Sequence, residues 1–326
     1  LKPNGTLYFS TPIGKQKIVF NAHRIFSIIY LLKMFENKFQ VVSFSYVDDT
    51  GNLHQNVDHL STLALSNFNL EYGCGIFELK KLLNSFKPDM LFNATGITDL
   101  NYCDKNPEQA WLLHARLPAM LADWSRNTNI PWVHVSTDHY YTASNNCYHK
   151  ESDTVAPMNE YAASKLAGEY LALTSHQALV LRTNIIGKRG WKNQPNFAEW
   201  VINNLNKQNE FDGYIDTWAS SIEVGQFASL ALKLAKNGVT GLMNLACSES
   251  ISKYEWIEKI AQSAKLECNN LNKIPTPKVK EGEVRRANAM GLDCSKSKAI
   301  LNSLGMTLPD SNIVAEAIVN SFKDEL

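Results

Sequence analysis

Apolar residues in the first eighty positions form short runs that predict strands around one amphipathic helix. Residues 5–13, 40–47 and 75–79 are rich in β-branched and aromatic side chains, which is typical of strands. Residues 26–36 place apolar side chains at the spacing of one helix face. Residues 52–70 are polar and without periodicity, so we predict irregular structure there.

From residue 80 onward, the pattern predicts a regular alternation of strands and helices. The predicted strands are residues 90–93, 132–136, 178–183 and 242–246. The predicted helices are one that begins near Asn106 and kinks at Pro118, followed by residues 160–174, 195–206, 222–236 and 252–265. Strands that alternate with helices imply a parallel sheet covered on both faces, so the predicted fold class is α/β.

Composition and charge narrow the class of protein. The 326 residues carry 32 Lys and Arg against 32 Asp and Glu, which gives no electrostatic reason to expect nucleic acid or an anionic membrane as partner. No apolar run approaches the roughly 18–20 residues that span a bilayer. The six cysteines and eight histidines lack metal-ligand spacing. We therefore expect reduced thiols, no metal site and a cytoplasmic protein.

Neither end of the sequence predicts export. Leu1 opens directly into strand-like sequence without a signal peptide, as the interior of a longer protein would. The last four residues, Lys323 to Leu326, spell an endoplasmic-reticulum retention signal. Because nothing directs entry into that compartment, we interpret the match as coincidence, and the charged end of a final helix is the plainer interpretation.

Tyr161 and Lys165 form the most informative pair of side chains. They are four residues apart on a predicted helix, so they lie on the same face, one turn apart. A nearby ammonium favours phenolate, so we expect Lys165 to lower the pKa of Tyr161 and to make it a general acid near neutral pH. This spacing also occurs by chance, and the alternative is a surface helix with a solvated lysine.

Small polar residues follow three successive predicted strands. Asn93-Ala94-Thr95, Ser136-Thr137-Asp138 and Arg182-Thr183-Asn184 each stand where a strand ends. Open α/β sheets bind their ligands at the carboxyl ends of parallel strands. Packing alone does not explain three such ends, so the sequence predicts a ligand site there.

These motifs together resemble the extended short-chain dehydrogenase/reductases, in particular the dTDP-4-dehydrorhamnose reductase branch. The resemblance covers about residues 83–326. Its further motifs are Lys87-Pro88-Asp89, Thr98, Tyr148-x-Lys150-Glu151, Pro157-x-Asn159-x-Tyr161, Ser164-Lys165-Leu166-x-Gly168-Glu169, Leu181-Arg182-Thr183 and Asn196-Phe197. It implies a Rossmann-like nucleotide domain and a small carboxy-terminal lobe that binds a nucleotide-activated sugar.

The resemblance also implies roles for individual residues in NADPH- or NADH-dependent reduction of a 4-keto-6-deoxy sugar. Tyr161 is then the proton donor, Lys165 holds the nicotinamide ribose and tunes that tyrosine, and Thr137 binds the carbonyl. The cofactor-binding residues are then Asn93, Ala94, Thr95, Ser136, Lys165, Arg182 and Thr183. The substrate-binding residues are then Thr98, Asn184, Asn196 and Arg286. The oligomeric state stays open, with a homodimer as one alternative.

The sequence departs from this family at the cofactor cradle. No G-x-x-G-x-x-G or G-x-G-x-x-G occurs among the 16 glycines, and the family's first strands are absent. Gly73-Cys74-Gly75, ahead of residues 76–86, is an alternative candidate for the turn between a strand and a helix. It lacks a convincing preceding strand and the third glycine. His114 stands where the family commonly has asparagine, and residues 139–142 replace its usual Tyr-Val-Phe-Asp. A non-catalytic sugar-nucleotide-binding or regulatory module is therefore a second hypothesis, and a fragment or a fusion of partial domains is a third.

Residues 1–81 resemble a different fold, the carboxy-terminal part of a class I, S-adenosylmethionine-type methyltransferase, within a domain-of-unknown-function family (number 268). The motifs that carry this resemblance are residues 1–10, 20–26, 45–49 and 72–78. It implies two domains, residues 1–81 and 82–326. Methyl transfer is not expected, because the glycine-rich methyl-donor loop is missing. We interpret His23-Arg24 as a structural pair or part of a site, and Asp48-Asp49 as a turn.

Overall fold

The computed structural model describes residues 6–15, 17–19, 23–36, 39–71, 73–81, 88–143, 145, 148–190, 195–280 and 282–323. The chain forms two compact units. The first comprises Leu1–Pro88 with Arg189–Gln194, and the second comprises Asp89–Lys188 with Pro195–Leu326. The expected roles of His23 and Arg24 concern side chains outside the described part of the chain, as does the retention-like sequence at residues 324–326.

Among its described residues, the first unit contains an antiparallel sheet, two α-helices and a 3-10 helix at Asn67–Asn69. Its elements are β1 (Thr6–Ile13), β2 (Lys17–Val19), β3 (His23–Ile25), α1 (Ile28–Phe35), β4 (Phe39–Val47), β5 (Leu53–His54), α2 (Thr62–Leu65) and β6 (Gly73–Lys81). The strand order of the main sheet is β1-β6-β4-β5, and β6 runs antiparallel to both neighbours. Strands β2 and β3 form a separate antiparallel pair.

Aromatic side chains fill the core of the first unit. The Phe77 ring lies 4.6 Å from that of Phe44 and 5.2 Å from that of Phe35, centroid to centroid. Phe77 is fully buried, and Ile28 and Leu31 of α1 are fully buried beside this cluster. Helix α1 begins at Ser27, whose hydroxyl accepts from the Tyr30 amide at 3.2 Å. The helix predicted from the apolar spacing is therefore present, and its buried face is the apolar one.

The second unit alternates strands with helices. Its strands are β7 (Leu91–Asn93), β8 (Trp132–Val135), β9 (Ala178–Arg182), β10 (Asn184–Ile186), β11 (Phe211–Tyr214), β12 (Trp218–Ala219), β13 (Ser221–Glu223), β14 (Gly241–Asn244), β15 (Ile251–Ser252), β16 (Leu271–Ile274) and β17 (Ala289–Met290). Its helices are α3 (Leu100–Lys105), α4 (Pro107–Trp111), α5 (Leu117–Thr128), α6 (Glu160–Ala172), α7 (Phe197–Lys207), α8 (Val224–Lys236), α9 (Lys253–Ala264), α10 (Ser295–Ser303) and α11 (Ser311–Ser321). A π-helical turn, Leu112–Arg116, joins α4 to α5.

A parallel sheet forms the centre of the second unit. Its strand order is β14-β9-β8-β7, with β7 at one edge in the described residues. All five residues of β9 are buried, as expected for a strand covered on both faces. The α/β fold class with a parallel sheet is therefore confirmed. Because the strands run the same way, their carboxyl ends lie at one edge.

A smaller lobe contains the remaining short strands. Helices α7, α9 and α11 share a core that includes fully buried Trp256 and Ile260. Helix α9 begins with the predicted capping box, in which Ser252 and Glu255 accept each other's backbone N–H. The indole of Trp256 donates to the Ala219 carbonyl at 3.1 Å, which ties α9 to strand β12.

Three further observations bear on the expectations from composition. The five cysteines within the described residues are free thiols. No group of three or more His, Cys, Asp or Glu that could hold a metal ion occurs in the described ranges. Within those same ranges, no helix has the length and apolar character needed to cross a membrane.

Candidate active site

The carboxyl ends of β7, β8 and β9 bring the predicted strand-end residues to one edge of the sheet. Asn93 pairs with His134 in the register of β7 and β8, and Val135 pairs with Leu181 in that of β8 and β9. Thr137 and Thr183 follow directly and are buried. The three strand ends are therefore neighbours, as the sequence predicts.

Helix α6 brings Tyr161 to this edge. Asn159 caps the helix, and its side-chain oxygen accepts from the Ala162 amide at 2.8 Å. The Thr137 side chain, just after the end of β8, lies close enough to the Tyr161 phenol to lower its pKa. Tyr161 itself is half-buried. The structure thus joins the tyrosine and the threonine that the sequence assigns to catalysis.

The electrostatics of Tyr161 differ from the prediction. Burial raises its pKa to about 12; the Thr137 side chain offsets this only in part, and the neighbouring Asp138 raises the pKa further. Lys165 is not among the groups that shift this pKa. The expectation that Lys165 lowers the pKa of Tyr161 is wrong in this structure, because desolvation of the phenolate outweighs any attraction by the ammonium.

Lys165 lies one turn further along α6 and is 5% exposed. Its ammonium donates to the Val135 carbonyl at 2.7 Å, so two of its three protons stay available for other acceptors. Burial lowers its pKa to about 8, against the raising effect of Glu169. Lys165 is therefore largely a cation at neutral pH. Its burial rules out the alternative of a solvated surface lysine.

Asp138 is the buried acid of the site. Its Oδ2 accepts from the Asn184 side chain at 2.7 Å, and Asn184 in turn accepts from the Ser221 hydroxyl at 2.8 Å. Burial raises the pKa of Asp138 to about 7, although the Asn184 hydrogen bond and the charge of Lys253 both lower it. The predicted substrate residue Asn184 is thus an internal partner of a buried carboxyl.

Two of the predicted cofactor-binding residues belong to a buried ionic network. The Arg182 guanidinium pairs with Glu169, which is fully buried, and donates to the Tyr141 hydroxyl at 2.8 Å. Ser136 donates to the other side of Glu169 at 2.8 Å. These contacts hold α6 to strands β8 and β9. A direct contact of Ser136 or Arg182 with a cofactor stays a prediction.

The end of β7 is also internally bonded. Asn93 is buried, with its side-chain nitrogen 3.0 Å from His134 Nδ1 and its oxygen accepting from the Thr95 hydroxyl at 2.6 Å. Ala94 is exposed and Thr95 half-buried. By contrast, the buried Thr183 hydroxyl oxygen has no hydrogen-bond partner within the described part of the chain. A buried polar atom without a partner is unusual, and it marks a position where a ligand can supply the missing bond.

Three predicted substrate residues have no established contact with the Thr137–Tyr161 pair in the described residues. Thr98 and Arg286 are exposed. Asn196 is the N-cap of α7 and donates to the Gly187 carbonyl at 2.6 Å, so its side chain has a structural role. Within the described chain, the structure does not bring these three residues together through any hydrogen bond. Their contacts with a substrate stay predictions.

Three residues without a role predicted from the sequence lie in or beside the site. Glu169 stands four residues after Lys165, and this spacing could have placed it on the same face of α6. His114 was visible only as a substitution for asparagine. Its ring packs edge-on against Tyr161, with centroids 5.5 Å apart. Lys253 reaches Asp138 only through the tertiary fold, and no sequence signal predicts that approach.

The parallel sheet with these strand-end residues defines a Rossmann-like α/β protein. The family described as "RmlD substrate binding domain" matches residues 58–309. That match spans most of the chain, so the chain belongs to this family. The matched region begins before residue 83, where the sequence resemblance starts.

Individual relatives are similar at lower identity. The "Probable low-salt glycan biosynthesis reductase Agl14" of Haloferax volcanii is 29% identical over 185 residues, which cover 56% of this chain and 62% of that protein. The chain thus spans less than two thirds of that relative. The dTDP-4-dehydrorhamnose reductase of Escherichia coli K12 is 25% identical over 265 residues, covering 76% of this chain and 85% of the relative.

Solved structures show the same fold. The dTDP-4-dehydrorhamnose reductase of Bacillus anthracis in complex with NADP superposes with a TM-score of 0.61 at 21% identity, covering 71% of this chain and 79% of its own. A hypothetical dTDP-4-dehydrorhamnose reductase from Sulfolobus tokodaii gives a TM-score of 0.58 at 27% identity, covering 66% and 74%.

Proposed function

We propose that this chain reduces the keto group of a nucleotide-activated 4-keto-6-deoxy sugar with NAD(P)H. The observation that carries the proposal is the placement of buried Thr137 beside Tyr161, with buried Lys165 one turn along α6, at the carboxyl edge of the parallel sheet. Membership of the RmlD family and the reductase relatives support the substrate class. The bound cofactor of the Bacillus anthracis reductase supports the choice of NADP or NAD.

Tyr161 acts as the proton donor. A pKa of about 12 keeps its phenol protonated at neutral pH, which is the form that can donate to the keto oxygen. Lys165, whose charge does not shift the pKa of this phenol, is assigned to the nicotinamide ribose. Thr137 holds the carbonyl beside the phenol, because its side chain is close enough to Tyr161 to affect its pKa. When bound, the reduced nicotinamide supplies the hydride.

The described residues fit the nicotinamide end of the cofactor. Lys165 has ammonium protons available for ribose hydroxyls, and the unpartnered Thr183 hydroxyl lies at the next strand end. The same edge of the sheet also carries the other residues assigned to the cofactor, which are Asn93, Ala94, Thr95, Ser136 and Arg182. For the pyrophosphate, the sequence offers no glycine-rich turn between a strand and a helix. The fit is therefore to one half of the dinucleotide.

A second candidate is a sugar-nucleotide-binding module without reductase activity. Two observations favour it: the absent glycine-rich turn, and β7 standing at the edge of the described parallel sheet. Strands that would carry the adenosine half of the cofactor have no counterpart in the described part of the second unit. In this case Tyr161 and Lys165 bind a sugar nucleotide and transfer no proton.

The first unit is a methyltransferase-like segment in this proposal. Strand β6 lies between β1 and β4 and is antiparallel to both; α1 precedes β4, and the short pair β2–β3 stands between β1 and α1. Residues 1–81 themselves contain no glycine-rich turn that could hold a methyl donor, so we expect this segment by itself not to bind S-adenosylmethionine. Calorimetric titration of the full chain checks this, and saturable binding would contradict it.

The decisive experiment measures loss of reduced-nicotinamide absorbance when the full chain is mixed with dTDP-4-dehydrorhamnose and NADPH or NADH. We expect turnover, and about 10²- to 10⁴-fold less in Tyr161→Phe because the general acid is removed. Tyr170→Phe, at an exposed tyrosine of the same helix, is the matched control and should retain full rate.

The outcomes separate the two candidates. Turnover that depends on Tyr161 supports the reductase. Saturable binding of the sugar nucleotide without turnover supports the binding module. Turnover that is unchanged in Tyr161→Phe contradicts the assigned proton donor, and absence of both binding and turnover contradicts both candidates.

A further inference from the structure

We propose that His114, held in a single tautomer, is a positioning residue that orients Tyr161 by tying helix α6 to the segment that follows β7. This inference rests on the proposed reductase function and deepens it. His114 lies in the π-helical turn Leu112–Arg116 and is 0% exposed. Single π-helical turns are rare, and they occur frequently at functional sites.

Two hydrogen bonds define the protonation of the ring. The Ile97 backbone N–H can only donate, and it lies 2.9 Å from His114 Nε2, so Nε2 is an acceptor. A neutral imidazole with an acceptor at Nε2 carries its proton on Nδ1. Nδ1 therefore donates to the Ser164 hydroxyl oxygen, 2.8 Å away. The Ser164 hydroxyl in turn donates a hydrogen bond to the Glu160 carbonyl oxygen at 2.7 Å.

This chain of bonds connects two parts of the site. Ile97 lies in the segment between β7 and α3, next to the predicted substrate residue Thr98. Ser164 lies three residues after Tyr161 on α6, and the His114 ring also contacts the Tyr161 ring edge-on. One buried side chain thus contacts the loop, the helix and the proton donor at once.

Close packing leaves the ring little freedom. A Cβ at Gly168 would lie 1.7 Å from the His114 carbonyl oxygen, so only glycine lets α6 approach the π-helical turn this closely. Burial, reinforced by the Lys165 charge, lowers the pKa of His114 to about 3. Protonation would place a second N–H at Nε2, facing the Ile97 N–H, and would abolish that bond.

The functional consequence follows from the sensitivity of proton transfer to geometry. A displacement of about 1 Å at a reacting group can lower a rate about 10²-fold. Removing the imidazole leaves the Ile97 N–H unpaired and releases one face of α6. We therefore expect His114→Leu to lower kcat about 10- to 100-fold with KM for the sugar nucleotide little changed.

The experiment compares three variants of the full chain. His114→Leu removes both hydrogen bonds, and His114→Gln offers an amide oxygen and an amide N–H that can restore them. His176→Leu, at an exposed histidine, is the matched control. We expect His114→Gln to recover most of kcat, and His176→Leu to behave as the unaltered chain. Thermal unfolding is measured for each variant, so that the assay is run below its melting temperature.

A second readout is independent of turnover. Nitrogen-15 NMR of labelled histidine should show the His114 ring with a protonated Nδ1 and an unprotonated Nε2 at pH 7, and the same spectrum at pH 5. A proton on Nε2, or titration between these pH values, contradicts the proposed bonds. Unchanged kcat in His114→Leu contradicts the positioning role even if the tautomer is right. Absence of turnover in the unaltered chain contradicts instead the proposed function on which this role rests.

Discussion

The two units of the chain bury different kinds of side chain. Among the described residues of the first unit, Thr11 is the one polar side chain classed as buried, and phenylalanine and aliphatic residues fill the core. The second unit buries Asp138, Lys165, Glu169 and Arg182 close to its strand ends. Buried charges require partners and shift pKa values, and such groups cluster at functional sites. The contrast indicates a scaffold in the first unit and a chemical site in the second.

The largest expected effect tests the ionic network of the second unit. Arg182→Met leaves the fully buried Glu169 carboxylate without its partner, so we expect the free energy of unfolding to fall by about 3–5 kcal/mol. Urea denaturation measures this loss. The exposed pair Arg126–Asp123 is the control, and Arg126→Met should cost less than about 1 kcal/mol. Equal losses at both sites would remove the distinction between the two kinds of ion pair.

The apolar core of the first unit gives the next largest effect. Leu31 of α1 is fully buried, and Leu31→Ala should cost about 2–5 kcal/mol through lost burial and the cavity left behind. Ile29 on the same helix is 42% exposed, and Ile29→Ala should change stability by about 0.5 kcal/mol or less. Denaturation curves of both variants, followed by far-ultraviolet circular dichroism, check the difference. Similar losses at both positions would mean that α1 does not bury the face assigned to it.

The third prediction concerns pH. Burial holds the pKa of Asp138 near 7 in the folded state, whereas an aspartate in an unfolded chain titrates near pH 3.9. Between these values only the folded state keeps the proton, so the contribution of Asp138 to stability falls as pH rises. Asp138→Asn removes this dependence. Its stability relative to the unaltered chain should therefore rise between pH 5 and pH 7, by at most roughly 1.4 kcal/mol per pH unit.

Denaturation of both chains at several pH values tests this difference. The histidines with lowered pKa, such as His139, are present in both chains, so their opposite contribution largely cancels. Asp123→Asn, at an exposed aspartate, controls for the loss of a carboxylate as such. A flat difference between Asp138→Asn and the unaltered chain across this range would show that Asp138 is ionised in the folded state.

The smallest expected effect compares helix caps in the two units. Ser252 caps α9 in a capping box, and Ser61 caps α2 through one bond of 3.2 Å to the Ala64 amide. Ser252→Ala should cost about 1 kcal/mol, and Ser61→Ala should cost less because α2 has a single turn. Melting temperatures of the two variants rank the caps. A larger loss at Ser61 would reverse the comparison.

Much of the element order follows from local sequence. The strand predicted at 40–47 is Phe39–Val47, and the helix predicted at 160–174 is Glu160–Ala172. Both have strong apolar patterns or a clear cap, which act over a few residues. The short helices Leu100–Lys105 and Thr62–Leu65 were not predicted, because neither has enough apolar periodicity to distinguish it from a polar loop. The helix predicted to begin near Asn106 consists of α4, a π-helical turn and α5, and Pro118 lies in the first turn of α5.

The sequence by itself determined the alternation of strands and helices, the strand-end motifs and the Tyr161–Lys165 spacing, because each depends on residues near one another in the chain. Only the tertiary structure decided how these groups behave. It raised the pKa of Tyr161, joined Arg182 to Glu169 and placed His114 between the loop and α6. Burial and partner choice depend on residues distant in the chain, and no local pattern encodes the depth at which a side chain is desolvated.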